Sequence, residues 1–274
     1  MNHQSLLSMT GNNLRSPTHR GIVLLSAREL DKMRRVGQLA AALLKHLEPM
    51  VKPGVSTQAL NDEAERWMQA NGAISATRGY APPGYPPFMG AICTSVNEVV
   101  CHGIPNPKQI LKDGDIINID VTPILDGYHG DTSKTFLVGN PSASARKLVE
   151  VTQECMMRGI AEIKPGARVG DIGAAIQEYA EANGFSVVRE MVGHGVGRQF
   201  HTEPWIPHYG KRGSGLKLRV GMVFTVEPML NEGTCDMRIL PDRWTVITKD
   251  KKLSAQFEHT IAVTEEGVEI LTVS

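Results

Sequence analysis

Two 22-residue stretches, VKPGVSTQALNDEAERWMQANG (51–72) and IKPGARVGDIGAAIQEYAEANG (163–184), open with a K-P-G turn and close with A-N-G. They are offset by 112 residues, and apolar positions between the two ends also align, as Leu60 does with Ile172. Self-similarity over such a long period indicates an internal duplication. Each copy predicts a turn followed by an amphipathic helix that ends at Asn-Gly.

The sequence around each copy repeats the same plan. Ser26-Ala-Arg-Glu29 fits a capping box and predicts the start of a helix, and apolar spacing predicts its counterpart over 147–163. Strand patterns follow each helix pair, at 115–124, 128–138, 221–226, 244–248 and 256–264. Because helices and strands come in blocks, we expect an α+β fold with pseudo-two-fold symmetry, a mostly antiparallel sheet and helices on one face. The half-repeats are expected at about 26–140 and 141–274.

Composition excludes several classes of protein. The chain has 274 residues with 29 basic and 29 acidic side chains, so bulk electrostatics do not favour nucleic-acid binding. The longest apolar run, Leu39–Leu44, is far shorter than the roughly 20 residues that span a bilayer. The four cysteines form no C-x-x-C pair, which is typical of free thiols in a reducing compartment. We therefore expect a cytoplasmic protein with no membrane partner and no specific nucleic-acid sequence as partner.

The N-terminal segment differs from the rest. No acidic residue precedes Glu29, and no apolar stretch typical of a secretory signal is present. We expect residues 1–25 to be a flexible arm and residues 26–274 to form a single domain.

Acidic residues occupy unusual places in the predicted strands. Asp120 lies within the apolar run 117–121, and Asp126-Gly127 is a strong signal for a two-residue hairpin turn. With that turn, Asp131 lies opposite Thr122 and becomes a diagonal neighbour of Asp120 on the same sheet face. Two carboxylates that close repel each other unless a cation or a proton lies between them.

Two more acids, Glu227 and Glu258, also lie in strands that otherwise belong to the core. His194 is flanked by glycines in GHGVG (193–197), which allow close approach of the backbone. A single acid in a strand commonly faces solvent, but burial of four unpaired acids would cost several kcal/mol each. A dinuclear metal centre removes that cost. No G-x-S-x-G, P-loop or H-E-x-x-H motif is present.

Six strings closely resemble type I methionine aminopeptidases of bacteria and organelles. They are VVCHGIP (99–105), GDIINIDVTPILDGYHGDTSKTF (114–136), GHGVGRQFHTEP (193–204), FTVEPM (224–229), RWTVITKD (243–250) and AQFEHT (255–260). The resemblance covers roughly residues 26–274 and implies the duplicated "pita-bread" fold of that family.

The resemblance also implies roles for individual residues. It assigns the metal ligands to Asp120, Asp131, His194, Glu227 and Glu258, with Asp131 and Glu258 bridging two metals. It implies that His201 hydrogen-bonds the scissile carbonyl and that His102 contacts the amide of the bond being cut. Glu227 would act as the proton acceptor. The family does not use His129 as a ligand, so we expect it to support the site from behind, and we expect His259 to be a packing residue.

A methionine side chain requires an apolar pocket. By resemblance, the pocket residues are Tyr80, Tyr85, Cys93, Phe200, Met229 and Trp244, together with His102 and His201. The loop over 79–93 is longer than usual and rich in proline, so the registration of Tyr80 and Tyr85 is open. Backbone carbonyls of Asn97, Val99 and Ser254 match positions that hold a monovalent cation in the family.

The implied function is removal of the initiator methionine from nascent proteins when the second residue is small. Two divalent ions per chain (Co, Mn, Fe or Zn) and one monovalent cation are the implied cofactors. The implied partners are nascent N-termini at the ribosome, and we expect a monomer. The alternatives are an Xaa-Pro aminopeptidase or prolidase of the same fold and a non-catalytic binding protein. We expect neither, because the segment before Ser26 leaves no room for the N-terminal domain of the former and the five ligand positions that the latter loses are all filled.

Overall fold

The computed structural model describes residues 21–273, so most of the arm predicted over 1–25 lies outside the described residues. Within that range there are four α-helices: α1 (Ala27–Leu47), α2 (Thr57–Ala70), α3 (Ala143–Ala161) and α4 (Val169–Ala182). A 3₁₀ turn (Glu48–Met50) extends α1. The strands are β1 (Ile74–Ser75), β2 (Cys93–Val96), β3 (Val99–Cys101), β4 (Ile116–Val121), β5 (Pro123–Leu125), β6 (Tyr128–His129), β7 (Thr132–Leu137), β8 (Ser186–Val187), β9 (Gly193–Gly195), β10 (Thr202–Ile206), β11 (Val223–Val226), β12 (Met229–Asn231), β13 (Met237–Ile239), β14 (Val246–Thr248), β15 (Ser254–Gln256), β16 (Glu258–Thr264) and β17 (Gly267–Ile270).

The helices of the two repeat copies begin and end at corresponding residues. Helices α2 and α4 each have 14 residues, and both ends differ by the predicted offset of 112. Gly54 and Gly166, the glycines of the two K-P-G turns, have φ values of +91° and +90°, a conformation that strongly favours glycine. Their amides donate to Leu111 and Leu218 across equivalent turns. The sequence duplication is therefore a structural duplication.

The helices that precede the repeats begin at side-chain caps. Glu29 accepts a hydrogen bond from the Ser26 amide, as the capping box predicts. Helix α3 begins four residues before the predicted 147, because the Ser142 hydroxyl accepts from the Ala145 amide and starts the helix there.

The main sheet has the strand order β10-β9-β11-β16-β7-β4-β2, and β17 pairs with the outer part of β16. All neighbours are antiparallel. The order is symmetric about the β16–β7 pair: β7, β4 and β2 come from the first half, and β16, β11 and β9 from the second. Three short sheets, β1-β5-β6, β15-β12-β8 and β13-β14-β3, complete the fold. The predicted α+β class with a duplicated antiparallel sheet is confirmed.

Strand alternation separates the helix-facing side from the side that carries the acids. Ile117, Ile119 and Val121 pack in one buried cluster with α1 and α2, so Asn118 and Asp120 point to the opposite side.

The second half repeats this arrangement. Phe224 and Val226 pack with α3 and α4, and Thr225 and Glu227 face the other way. None of the helices within residues 21–273 combines the length and apolar character that a bilayer crossing requires.

Candidate active site

The first-half acids lie on a hairpin with the predicted register. Asp126 and Gly127 have φ values of +51° and +78°, typical of the tight turn that such a pair forms. Asp120 lies opposite Ser133, which is the pairing that this turn requires. The Thr122 hydroxyl donates to Asp131 Oδ1 at 2.8 Å, so Asp131 faces Thr122 as predicted.

The second-half acids meet the first-half acids at the central pair of strands. Glu258 opens β16 and lies opposite Ser133, so Asp120, Ser133 and Glu258 form one row across three strands. Two threonine hydroxyls join these strands, each donating over 2.7 Å: Thr132 donates to the Glu258 carbonyl and Thr260 to the Asp131 carbonyl. The two bridging positions of the resemblance are therefore held by matching bonds.

His194 approaches both sets of acids from the neighbouring strand. Its Nε2 lies 3.6 Å from Asp131 Oδ2 and 3.5 Å from Glu227 Oε1. Ligand atoms of Asp131, His194 and Glu258 all lie within 4.8 Å of one another, and the three residues are buried. All five residues assigned as ligands line a single cleft.

The acids perturb one another strongly. Burial raises the pKa of Asp131 and of Glu258 well above the usual range, and repulsion by the neighbouring carboxylates raises both further. Burial raises the pKa of Asp120 to about 7, partly opposed by a hydrogen bond from Cys93. Burial also raises the pKa of Glu227 to about 8, although the Thr225 hydroxyl donates to it at 2.7 Å. The described protein groups therefore do not neutralise the negative charge of these carboxylates.

A divalent cation fits this arrangement. Within residues 21–273, no lysine or arginine forms an ion pair with any of the four acids. Asp120 Oδ1 is buried and has no hydrogen-bond partner. Burial lowers the pKa of His194 to about 4, so its imidazole is neutral near pH 7 and has a lone pair available for a metal. Carboxylate oxygens with one imidazole suit Mn, Fe or Co as well as Zn.

His102 and His201 lie in the same cleft without belonging to this cluster. Burial lowers the pKa of His102 to about 4 and that of His201 well below its usual value, so both rings are neutral hydrogen-bonding groups near pH 7. His201 Nδ1 lies 3.0 Å from the Tyr80 hydroxyl, which fixes the ring. His102 has a φ of +56° and packs edge-on against Trp244, with ring centroids 6.2 Å apart.

Aromatic residues from both halves form the apolar part of the cleft. The whole cleft, with its open mouth, contains about 1040 Å³ of empty space. Tyr80, Phe200 and Trp244 line it, and Cys93 and Met229 lie in its wall. These five belong to the predicted pocket.

Tyr85 is placed differently from the other predicted pocket residues. Its ring packs against Trp244 at 5.3 Å, but it is not among the residues that line the cleft. The proline-rich loop is fixed by the Trp244 indole, which donates to the Pro86 carbonyl at 2.9 Å. The side chain of Tyr80 therefore lines the cleft, whereas the ring of Tyr85 packs against Trp244 outside that lining.

The structure adds residues that sequence reasoning missed. Further lining residues are Thr77, Pro82, Phe88, Cys101, Glu190, Met191, Val192, Trp205 and Gln256. Gln256 Nε2 donates to Glu227 Oε2 at 3.2 Å. Strand alternation could have found Gln256, which is two residues before Glu258. Glu190 Oε2 is buried without a hydrogen-bond partner, and no sequence pattern marked it or Trp205.

His129 and His259, the two further histidines considered in the sequence, make structural contacts. His129 Nδ1 lies 2.8 Å from the Gly197 carbonyl, and its ring stacks on Phe200, consistent with a supporting role. His259 Nδ1 lies 2.8 Å from Thr272 Oγ1, away from the acids.

The predicted monovalent-cation residues come together at the edge of β3 and β15. Asn97 has a φ of +55°, and its carbonyl accepts from the Ser254 amide at 2.9 Å. Val99 pairs with Ile247. Asn231 lies opposite Ser254, and its buried Oδ1 has no hydrogen-bond partner.

Comparison with known proteins agrees with this geometry. The model of metallopeptidase family M24 matches residues 31–265. The chain is 81% identical to methionine aminopeptidase B of Synechocystis sp. over 100% of both chains. It is 51% identical to methionine aminopeptidase of Escherichia coli, covering 92% of this chain and 94% of that protein. The methionine aminopeptidase structure from Rickettsia prowazekii has a TM-score of 0.88 at 51% identity, covering 92% of this chain and 100% of that chain.

Proposed function

Because this chain belongs to metallopeptidase family M24 and is a metal-dependent aminopeptidase that removes the initiator methionine, we propose that its reaction takes place among the clustered acids of the cleft. One observation carries the proposal: Asp131, His194 and Glu258 place ligand atoms within 4.8 Å of one another with no lysine or arginine paired to the acids within residues 21–273. Such a set is costly without a metal and stable with one.

We propose that the site holds two divalent ions. Asp131, just before β7, and Glu258, the first residue of β16, would hold the ions from the two central strands. Asp120, with an unpartnered oxygen, and His194 with Glu227 would supply the other ligands. Bound divalent ions lower the pKa of a coordinated water and neutralise negative charge that develops on the substrate.

The protein side chains then perform the remaining steps. The Glu227 carboxylate accepts a proton from the attacking water and transfers it to the leaving amine. The Tyr80 hydroxyl donates to His201 Nδ1, which leaves Nε2–H free to donate to the scissile carbonyl oxygen. His102, held edge-on against Trp244, contacts the amide of the bond being cut.

The apolar part of the cleft supports methionine as the first residue. Tyr80, Phe200 and Trp244 supply aromatic surface for a thioether, and Met229 supplies a soft wall. A crowded rim would favour a small second residue. One methylene changes discrimination by only about 1–3 kcal/mol, so the size limit should be graded.

We propose Co, Mn, Fe or Zn as the divalent metal and a monovalent cation at the carbonyls of Asn97, Val99 and Ser254. The unpartnered Oδ1 of Asn231 beside Ser254 supports the latter site. We further propose a cytoplasmic monomer that acts on nascent chains at the ribosome.

The test compares cleavage of Met-Ala-Ser, Met-Phe-Ser, Leu-Ala-Ser and an Xaa-Pro peptide by metal-loaded and chelated enzyme. We expect Met-Ala-Ser to be cut with a kcat/KM at least tenfold above the others, and chelation to abolish cleavage. Equal cleavage of Met-Ala-Ser and Met-Phe-Ser would contradict the crowded rim. Preference for the Xaa-Pro peptide would favour the alternative peptidase.

A further inference from the structure

Glu227 lies just beyond the last residue of β11 and is followed by a proline, so the regular sheet ladder does not continue through it. Its backbone amide instead donates to the imidazole Nε2 of His208 at 3.1 Å. A side chain thus accepts the hydrogen bond that a neighbouring strand would accept elsewhere in the sheet.

His208 can accept this bond only in one form. It is 0% exposed, and its Nδ1 is buried with no hydrogen-bond partner. Because Nε2 accepts from an N–H group, the ring proton must reside on Nδ1. The ring therefore presents its one acceptor atom, Nε2, to the Glu227 amide.

We infer that His208 is a positioning residue for Glu227: it fixes the backbone from which the carboxylate reaches the metals and the substrate. The carboxylate itself is held by Thr225 at 2.7 Å and by Gln256 at 3.2 Å. These two bonds fix the carboxylate group of Glu227, and His208 fixes its backbone amide. This inference rests on the proposed role of Glu227.

A second contact fixes His208 in turn. The segment Pro207–Tyr209 crosses helix α4 at Gly173, and a Cβ atom there would lie 2.4 Å from the Tyr209 carbonyl oxygen and 2.8 Å from that of Pro207. Side chains do not fit at such distances, so Gly173 permits the close approach of the segment. The position of Glu227 thus depends on a helix residue outside the cleft.

The first experiment replaces His208 and follows metal-loaded enzyme with Met-Ala-Ser. His208→Leu removes the acceptor, and His208→Gln retains an amide oxygen near the position of Nε2. We expect the leucine variant to lose about tenfold or more in kcat with KM changed less than about threefold, and to bind Mn²⁺ about tenfold more weakly by calorimetry. We expect the glutamine variant to recover both properties to within about threefold.

Each outcome decides the inference. Wild-type kcat and Mn²⁺ affinity in His208→Leu, or equal losses in both variants, would overturn it. Failure of the wild-type enzyme to cleave Met-Ala-Ser would overturn the proposed function instead.

The second experiment does not depend on whether His208→Leu folds. Gly173→Ala should displace the Pro207–Tyr209 segment and reduce kcat and Mn²⁺ affinity in the same direction as His208→Leu. Ala182→Ser, at an exposed position of the same helix, is the matched control and should leave both unchanged. A Gly173→Ala variant with lower melting temperature but unchanged kcat and affinity would show a purely structural role and contradict the inference.

Discussion

The two halves of the molecule place carboxylates near corresponding strand ends of the sheet but differ in what surrounds them. Asp120 is the penultimate residue of β4, and Glu227 lies just beyond β11; Asp131 lies just before β7, and Glu258 opens β16. The third strand differs: β2 carries Cys93 opposite Asp120, whereas β9 carries His194. Each half therefore contributes two acids, and the third strand makes the two halves chemically different.

The helices show a similar difference at one equivalent position. In α2, the Asn61 side chain accepts a hydrogen bond from the Ala91 amide at 2.7 Å and so holds the segment that leads into β2. In α4 the residue at the same offset is Gly173, where the backbone of a loop approaches directly. In the first half a side-chain hydrogen bond holds the neighbouring segment, and in the second half a glycine lets the backbone of a loop pack directly on the helix.

The largest expected effect comes from the two positions that the resemblance assigns as bridging, Asp131 and Glu258. In the proposed site, Asp131→Asn and Glu258→Gln would each remove one charged metal ligand, so we expect each to lower kcat/KM by about 10³-fold or more. If both residues hold the same ions, their losses should agree within about tenfold. Rates with Met-Ala-Ser and metal content by mass spectrometry test this. Near-normal turnover with unchanged metal content in either variant would exclude a bridging role.

A smaller loss is expected at the two histidines, one from each half. In the proposed site, His102→Ala and His201→Ala would each remove one contact with the reacting amide group and should lower kcat/KM by about 10²-fold while the metals stay bound. Metal content measured beside the rates separates this role from ligation. A variant that loses metal before it loses catalysis would show that its histidine is a ligand.

The pH dependence should reflect the equivalent strand ends. The pKa values of Asp120 and Glu227 are raised to about 7 and 8 from ordinary values near 4, so protons compete with the metal as pH falls below 8. Apparent metal affinity should therefore rise with pH between 6 and 8, by about tenfold per pH unit for each proton displaced. Calorimetry in two buffers with different ionisation enthalpies counts the protons.

The same shifts have the opposite sign for the chelated protein. A carboxylate with a raised folded-state pKa stabilises the fold below its unfolded value and loses that contribution as pH rises through 7 and 8. The melting temperature of chelated protein should fall over this range, and added metal should restore more of it at pH 8 than at pH 6. A pH-independent metal-induced shift would contradict the link between the acids and the metal.

The smallest effect is expected at Cys93. Burial and the neighbouring acids keep the pKa of its thiol well above the usual range, so the thiol is protonated in the chain without metal. Cys93→Ala should change kcat/KM by less than about threefold. His194→Ala is the matched variant in the other half and should lose metal. Comparable metal loss in both variants would show that the third strands are not chemically different.

Local sequence signals predicted the parts that depend on neighbours in sequence. The K-P-G and A-N-G ends predicted both repeat helices because turn and cap residues act within a few positions. The Asp126-Gly127 turn predicted the register of the hairpin, and with it the proximity of Asp120 and Asp131. The resemblance named the remaining candidate ligands, which the structure brings together in one cleft.

Parts of the cleft that depend on packing between distant loops were not predictable. Tyr80 and Tyr85 are only five residues apart in a proline-rich loop, and both pack against Trp244, but only Tyr80 lines the cleft. Trp205 lies in β10 and Glu190 in the loop before β9, and neither has a local signal. His208 was not identified because its significance lies in a contact with a backbone amide, which no side-chain pattern reveals.

The junction between the halves in the main sheet is short. Strands β7 and β16 pair through only two residue pairs, Ser133 with Glu258 and Thr132 with His259. Bridging metals would lie at this junction and connect the halves as a removable cross-link. The same ions that the reaction requires would therefore slow the separation of the halves, so that resistance to proteolysis and the rate of thermal inactivation would depend on metal supply.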